Sequence, residues 1–214
     1  MNDIKRFLKN INLGLIGLIV CFVGIVGEML EFAAELFMTG DAVRIDAINF
    51  VYLIINVLFY FYIARMFLIA AKEKDFSLAR FGIGVFVITE YIMPAIKMLF
   101  FGGFSGVILY FPYFLLSGAA VGVAYFVFMV LEWRNSGKNY YIPMMIIGIL
   151  LFLINLAFAT SNIYTIVVMI GAPLTAYEIA LCIVTALAAI NDVLLGFLFM
   201  MYPIYGFLRR KGKM

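Results

Sequence analysis

Carboxylates and a lysine stand well inside largely apolar runs of this chain: Glu28, Glu31 and Glu35 within 13–38, Glu90 and Lys97 within 81–101, and Asp192 within 175–207. Placed in hydrocarbon, each carboxylate costs about 2.5–3.5 kcal/mol on insertion scales unless it meets a partner, a proton or water. Carboxylates in such places do a small range of chemistry: they attract a cation, pass a proton, or work as an acid–base pair. The sequence contains no histidine. That removes histidine-ligated zinc or haem, histidine triads and histidine proton relays, and leaves carboxylates, amides and backbone. A glycine-rich phosphate loop, a GxSxG elbow, an HExxH pair and the paired aspartates of prenyl transfer are also missing. No catalytic residue, cofactor or metal site is therefore expected. The candidate site is an ion or solute pathway of Glu28, Glu31, Glu35, Asn56, Glu90, Lys97, Asn155 and Asp192.

Spacing gathers these residues onto faces. At 100° per residue, Gly17, Gly24, Glu28, Glu31 and Glu35 share an arc of about 60°, so the first apolar run has one small, acidic side that cannot look at lipid. Steps of seven recur along the chain: Glu28 with Glu35, Asn49 with Asn56, Glu90 with Lys97, Asn155 with Asn162, and Glu178, Thr185, Asp192. A polar period near 3.5 is that of left-handed helix bundles, and it predicts that the stripes face one shared interior. By helix rise, Glu28, Asn56, Lys97 and Asn155 come out in the outer half of the membrane, with Glu90 and Asp192 nearer its middle. The competing reading is that buried amides and a Glu–Lys pair glue the bundle at about 0.6 kcal/mol per hydrogen bond.

Composition says which scaffold holds this set. Hydrophobic residues make up 67% of the 214 and charged ones 13%, with a mean hydropathy of +1.15. A soluble domain is roughly 45–50% apolar, so the expectation is an all-α, polytopic membrane helix bundle. Six spans of about 20–25 residues use most of the length. The expected layout is an amphipathic lead-in over 1–12, one transmembrane domain over 13–207 and a basic tail over 208–214. Spans are read at 13–38, 48–71, 81–101, 108–132 and 142–160. A half-membrane or interfacial segment at 163–170 and a turn at 171–173 then precede a long sixth span at 175–207. Pro94 predicts a kink in the third span. Gly102, Gly103 and Gly106 mark a tight outer turn, and Gly118 with Gly122 a close helix contact.

Lys and Arg cluster near residues 5–9, 72–80, 134–138 and 209–213. The positive-inside rule puts all four segments, and both termini, on the cytoplasmic side of a cell inner (plasma) membrane. The formal charge of +3 lies in these short loops; it predicts contact with the lipid bilayer and no nucleic-acid partner. Cys21 and Cys182 lie in apolar runs and read as packing residues. Richness in Ile, Phe, Lys and Asn points to a prokaryotic source.

These features point to a transport protein, a channel or carrier, that moves a small cation, protons or a cationic solute and acts alone or as a homo-oligomer. Its alternative is a non-catalytic membrane subunit. The lead-in, six spans and charged loop at 72–80 resemble, in layout alone, small exporter-type ABC permeases. That resemblance implies an ATPase or other subunit docked on the loop. A third reading is an intramembrane enzyme with Glu90 and Asp192 as its acid–base pair.

Overall fold

Backbone N–H and C=O groups that leave water must bond within their own segment, so long apolar runs fold as helices. The computed structural model of the protein describes residues 12–38, 47–73, 76–92, 118–134, 138–171 and 174–211. In these residues the chain is all helical. The elements are α1 (Leu13–Met38), α2 (Ala47–Glu73), α3 (Phe76–Val87) continued by a π turn (Ile88–Ile92), α4 (Ala119–Arg134), α5 (Tyr141–Ile170) and α6 (Ala176–Arg210). Among the described residues four helices are long and apolar enough to cross a membrane, with spanning stretches Leu13–Leu30, Leu53–Lys72, Tyr141–Ile170 and Tyr177–Arg210. Their outer surfaces are apolar as well: Phe22 is 68% exposed, Leu58 62% and Val167 63%. An apolar exterior of this kind is a liability in water and the norm in lipid, and it fits a multi-pass membrane protein.

The helices alternate in direction. Asn12 donates to the Ala71 carbonyl at 3.2 Å, tying the start of α1 to the end of α2. Arg210 donates to the Lys138 carbonyl at 2.7 Å, tying the end of α6 to the loop between α4 and α5. Arg80, near the start of α3, reaches the Tyr202 hydroxyl of α6. One end of the bundle therefore collects Lys72, Arg80, Arg134, Lys138, Arg209 and Arg210. α5 and α6 form the most extensive helix pair, α1 packs on α2 and α6, and α4 packs on α5 and the π turn. Between them lies an aromatic core: Phe67 stacks on Phe86 at 5.5 Å, and Tyr125 meets Phe199 edge-on at 5.6 Å. The Tyr125 hydroxyl, fully buried, donates to the Phe199 carbonyl at 2.9 Å, so this large side chain enters the core without leaving a bare polar atom.

Two sequence expectations change. The break expected after residue 160 is absent: α5 runs unbroken through 163–170. No Pro or Gly interrupts the chain between Gly148 and Gly171. The Thr160 and Thr165 hydroxyls donate back to the Leu156 and Ser161 carbonyls at 2.8 and 3.0 Å, so these polar side chains are satisfied along the helix itself. Glu178 does not join the interior stripe. It closes a capping box with Thr175, accepting from the Thr175 N–H at 2.7 Å while the Thr175 hydroxyl accepts from the Glu178 N–H, and so starts α6. The lead-in at 1–11, Pro94, the glycine turn at 102–106 and the ends of the third and fourth expected spans lie outside the described residues.

Candidate functional site

The polar residues of the interior meet in pairs, and the pairs line up across the bundle. On α1, Glu28 accepts from the Asn56 amide of α2 at 3.3 Å. One turn along α2, the Tyr60 hydroxyl donates to Glu90 Oε1 of the π turn at 2.6 Å. Tyr91, the next residue, accepts from the Asn155 amide of α5. Two turns further along α5, Asn162 donates to Asp192 Oδ2 of α6 at 3.0 Å. Tyr60 lies within electrostatic range of both Glu90 and Glu28, and Tyr91 of both Glu90 and Asp192. Glu90 and Asp192 lie within range of each other. The result is a track of carboxylates, phenols and amides from α1 to α6.

Local chain geometry makes the track continuous. Successive helical residues point about 100° apart, so within the π turn Glu90 faces α2 while Tyr91 faces α5. A π turn of this kind widens the helix and rotates the facing of the residues after it. Glycines leave room on the opposite walls. A Cβ on Gly24 would stand 2.7 Å from the Tyr60 ring, one on Gly122 2.7 Å from the Tyr91 Cβ, and one on Gly196 2.9 Å from the Asn155 Cβ. Larger residues there would push the phenols and the amide off the track.

Glu90 and Asp192 have no ion-pair partner among the described residues; the one ion pair found there is Arg210 with Glu132, at 3.1 Å. Among the described residues each carboxylate is held by a single neutral donor, Tyr60 for Glu90 and Asn162 for Asp192. Asn155 is 3% exposed and its amide also donates to the Leu151 carbonyl at 2.7 Å, which fixes its orientation. Beside Asp192 in the chain, the Asn191 side-chain oxygen is buried with no hydrogen-bond partner among the described residues. Oxygen ligands without cationic partners are what a hard cation or a hydrated proton uses.

Of the residues singled out from sequence, Glu28, Asn56, Glu90, Asn155 and Asp192 come together in this track. Glu31 and Glu35 belong to α1, but their side chains, that of Asn49 and the whole of Lys97 lie outside the described residues. Sequence reasoning missed Tyr60, Tyr91 and Asn191. The signal was present, since Tyr60 comes one turn after Asn56 and Tyr91 adjoins Glu90, but aromatic residues in an apolar run read as packing. It also missed the pairing of Glu132 with Arg210. Comparison with protein-family models, with curated proteins and with solved structures finds no match.

Proposed function

We propose that this chain is a membrane transport protein, a channel or carrier, in which Glu28, Glu90 and Asp192 pass a small cation or proton through the bundle. One observation carries the reading: carboxylates from α1, the π turn and α6 are joined through phenols and amides, and Glu90 and Asp192 have no countercharge among the described residues. Neutral donors at Glu90 and Asp192 leave negative charge for a passing cation to meet, whereas a protein cation at each would neutralise it. The Tyr60 hydroxyl can hold the Glu90 carboxylate in place, and can return it there once the cation has left. Glu31, Glu35 and Lys97 complete the proposed pathway.

The proposal extends to topology. The layout is six spans in a cell inner membrane, with the basic end, and with it both termini, on the cytoplasmic side. The gathering of Lys72, Arg80, Arg134, Lys138, Arg209 and Arg210 at one end supports this, because basic residues are retained on that side.

The test is flux into liposomes holding the purified protein, followed with a pH-sensitive dye and with a monovalent-cation tracer. Glu90→Gln is expected to lower flux at least about a hundred-fold, because the replacement keeps shape and removes charge, while circular dichroism stays unchanged. Wild-type flux in the variant would return the track to the packing role.

A further inference from the structure

Between α2, the segment of α3 with its π turn, and α4 runs a groove of about 400 Å³, within the range of ligand pockets. Its walls are apolar from Ile88 and Phe126 toward the basic end, where Arg80 and Trp133 line it, and among the described residues Arg80 is its one charged lining residue. The eight steps from Ile88 to Arg80 measure about 12 Å along a helix, close to the roughly 15 Å of hydrocarbon in one leaflet. Phe81, at the same mouth, is 52% exposed and Trp133 73% exposed. The groove thus opens on the apolar outer surface with an indole at the level where a headgroup region begins.

Arg80 stands apart from the other basic residues at that end. Its side chain is half-buried, its Nε is fully buried with no hydrogen-bond partner among the described residues, and no carboxylate there forms an ion pair with it. The Tyr202 and Tyr141 hydroxyls near it are neutral. A guanidinium that leaves water without a countercharge is costly, and its forked donors match phosphate oxygens. An apolar slot one leaflet deep that ends at an uncompensated guanidinium has the complementarity of an anionic lipid: an acyl chain in the slot, a phosphate at its mouth.

We propose that this groove binds one phospholipid of the adjacent leaflet, its acyl chain lying between α3 and α4 along Val85 and Ile88 and its anionic headgroup held by Arg80. A soluble anion would leave the apolar walls uncovered. A partner helix would leave the Arg80 charge unmet.

Trp133 is the single tryptophan of the chain, which makes the groove's mouth directly observable. The full-length protein is reconstituted in mixed vesicles in which either phosphatidylglycerol or phosphatidylcholine carries brominated acyl chains. Quenching of Trp133 then gives the relative occupancy of the two lipids. The expected wild-type preference for phosphatidylglycerol is about five-fold, the factor one basic residue contributes near an anionic surface. Arg80→Gln should bring it to about one, and Arg80→Lys should keep most of it. Val85→Phe, which fills the slot, should lower quenching by both lipids. Lys72→Gln, at an exposed basic residue outside the groove, should leave the preference in place. A wild-type preference near one overturns the proposal, as does a preference that survives Arg80→Gln or that Lys72→Gln removes equally, which would mark a diffuse basic fringe.

Discussion

At the basic end of the bundle Glu132 is met on both oxygens: Arg210 donates to Oε1 at 3.1 Å and the Tyr140 N–H to Oε2 at 2.9 Å. In the middle of the bundle Glu90 receives one phenol and Asp192 one amide. All three are carboxylates in an apolar chain, but their surroundings divide them. Around Glu132 the charge is cancelled, and the groups that cancel it tie α4, the following loop and α6 together, since the same guanidinium nitrogen also donates to the Lys138 carbonyl. Around Glu90 and Asp192 no cation among the described residues cancels it. Cancelled charge stabilises a fold and offers nothing to a traveller; open charge weakens a fold and offers a stopping place. On the proposed reading, the contrast gives structure to one end and passage to the centre.

Neutral isosteres should separate the two with opposite effects on stability. Glu132→Gln leaves the partly exposed Arg210 guanidinium facing a neutral amide, and the expected loss is about 1 kcal/mol, read as a lower midpoint in detergent unfolding. The folded fraction should retain its flux. Glu90→Gln should leave that midpoint unchanged or raise it while flux collapses, because it removes a charge that no described cation balances. If both variants lost stability equally, the division between the two regions would fail.

The glycines give the next largest effect. Gly122→Val would place its Cβ about where the Tyr91 Cβ must pass, at 2.7 Å, and one of the two helices has to move. Crowding of this sort costs about 1–3 kcal/mol, and flux should fall with it because Tyr91 leaves Asn155. Gly27→Ala on α1, where a Cβ meets nothing within 4 Å, is the control and should change neither midpoint nor flux.

Much of the centre was legible in the sequence because the cost of burying a carboxylate is independent of fold. Glu28, Glu90 and Asp192 stood out against apolar runs, and the steps of seven from Asn49 to Asn56 and from Asn155 to Asn162 already implied faces that meet. That the basic clusters share one end of the bundle was legible in their spacing, and long apolar helices are dictated by hydropathy alone. The unbroken α5 was not, since ending a span of ordinary length near residue 160 leaves 163–207 too long for one span, and only a break there keeps the basic tail with the other basic clusters; the helix instead runs on to Ile170. The phenols were not legible either. Tyr60 and Tyr91 matter through which neighbour each oxygen reaches, and that depends on a π turn, which has no composition of its own. Glu178 shows the converse error: it shares the spacing of seven with Thr185 and Asp192, yet the Thr175 three residues before it makes it a cap, a shorter-range pattern that takes precedence.

The smallest effect is the one that tests whether the phenols belong to the passage or to the packing. Tyr91→Phe deletes one hydroxyl and leaves the Asn155 amide its second acceptor, the Leu151 carbonyl. The amide keeps one of its two N–H bonds and loses the other, and the expected loss is about 0.6 kcal/mol, the mean worth of a hydrogen bond between membrane helices. A midpoint shift that small would pass unnoticed in a screen of stability. Flux should respond more: without the Tyr91 oxygen, the stretch between Glu90 and Asp192 loses its one bridging hydroxyl, and transport should drop by about ten-fold. A drop in flux with almost none in stability would place Tyr91 on the path. Equal, slight changes in both would make it glue, and would confine the passage to the carboxylates.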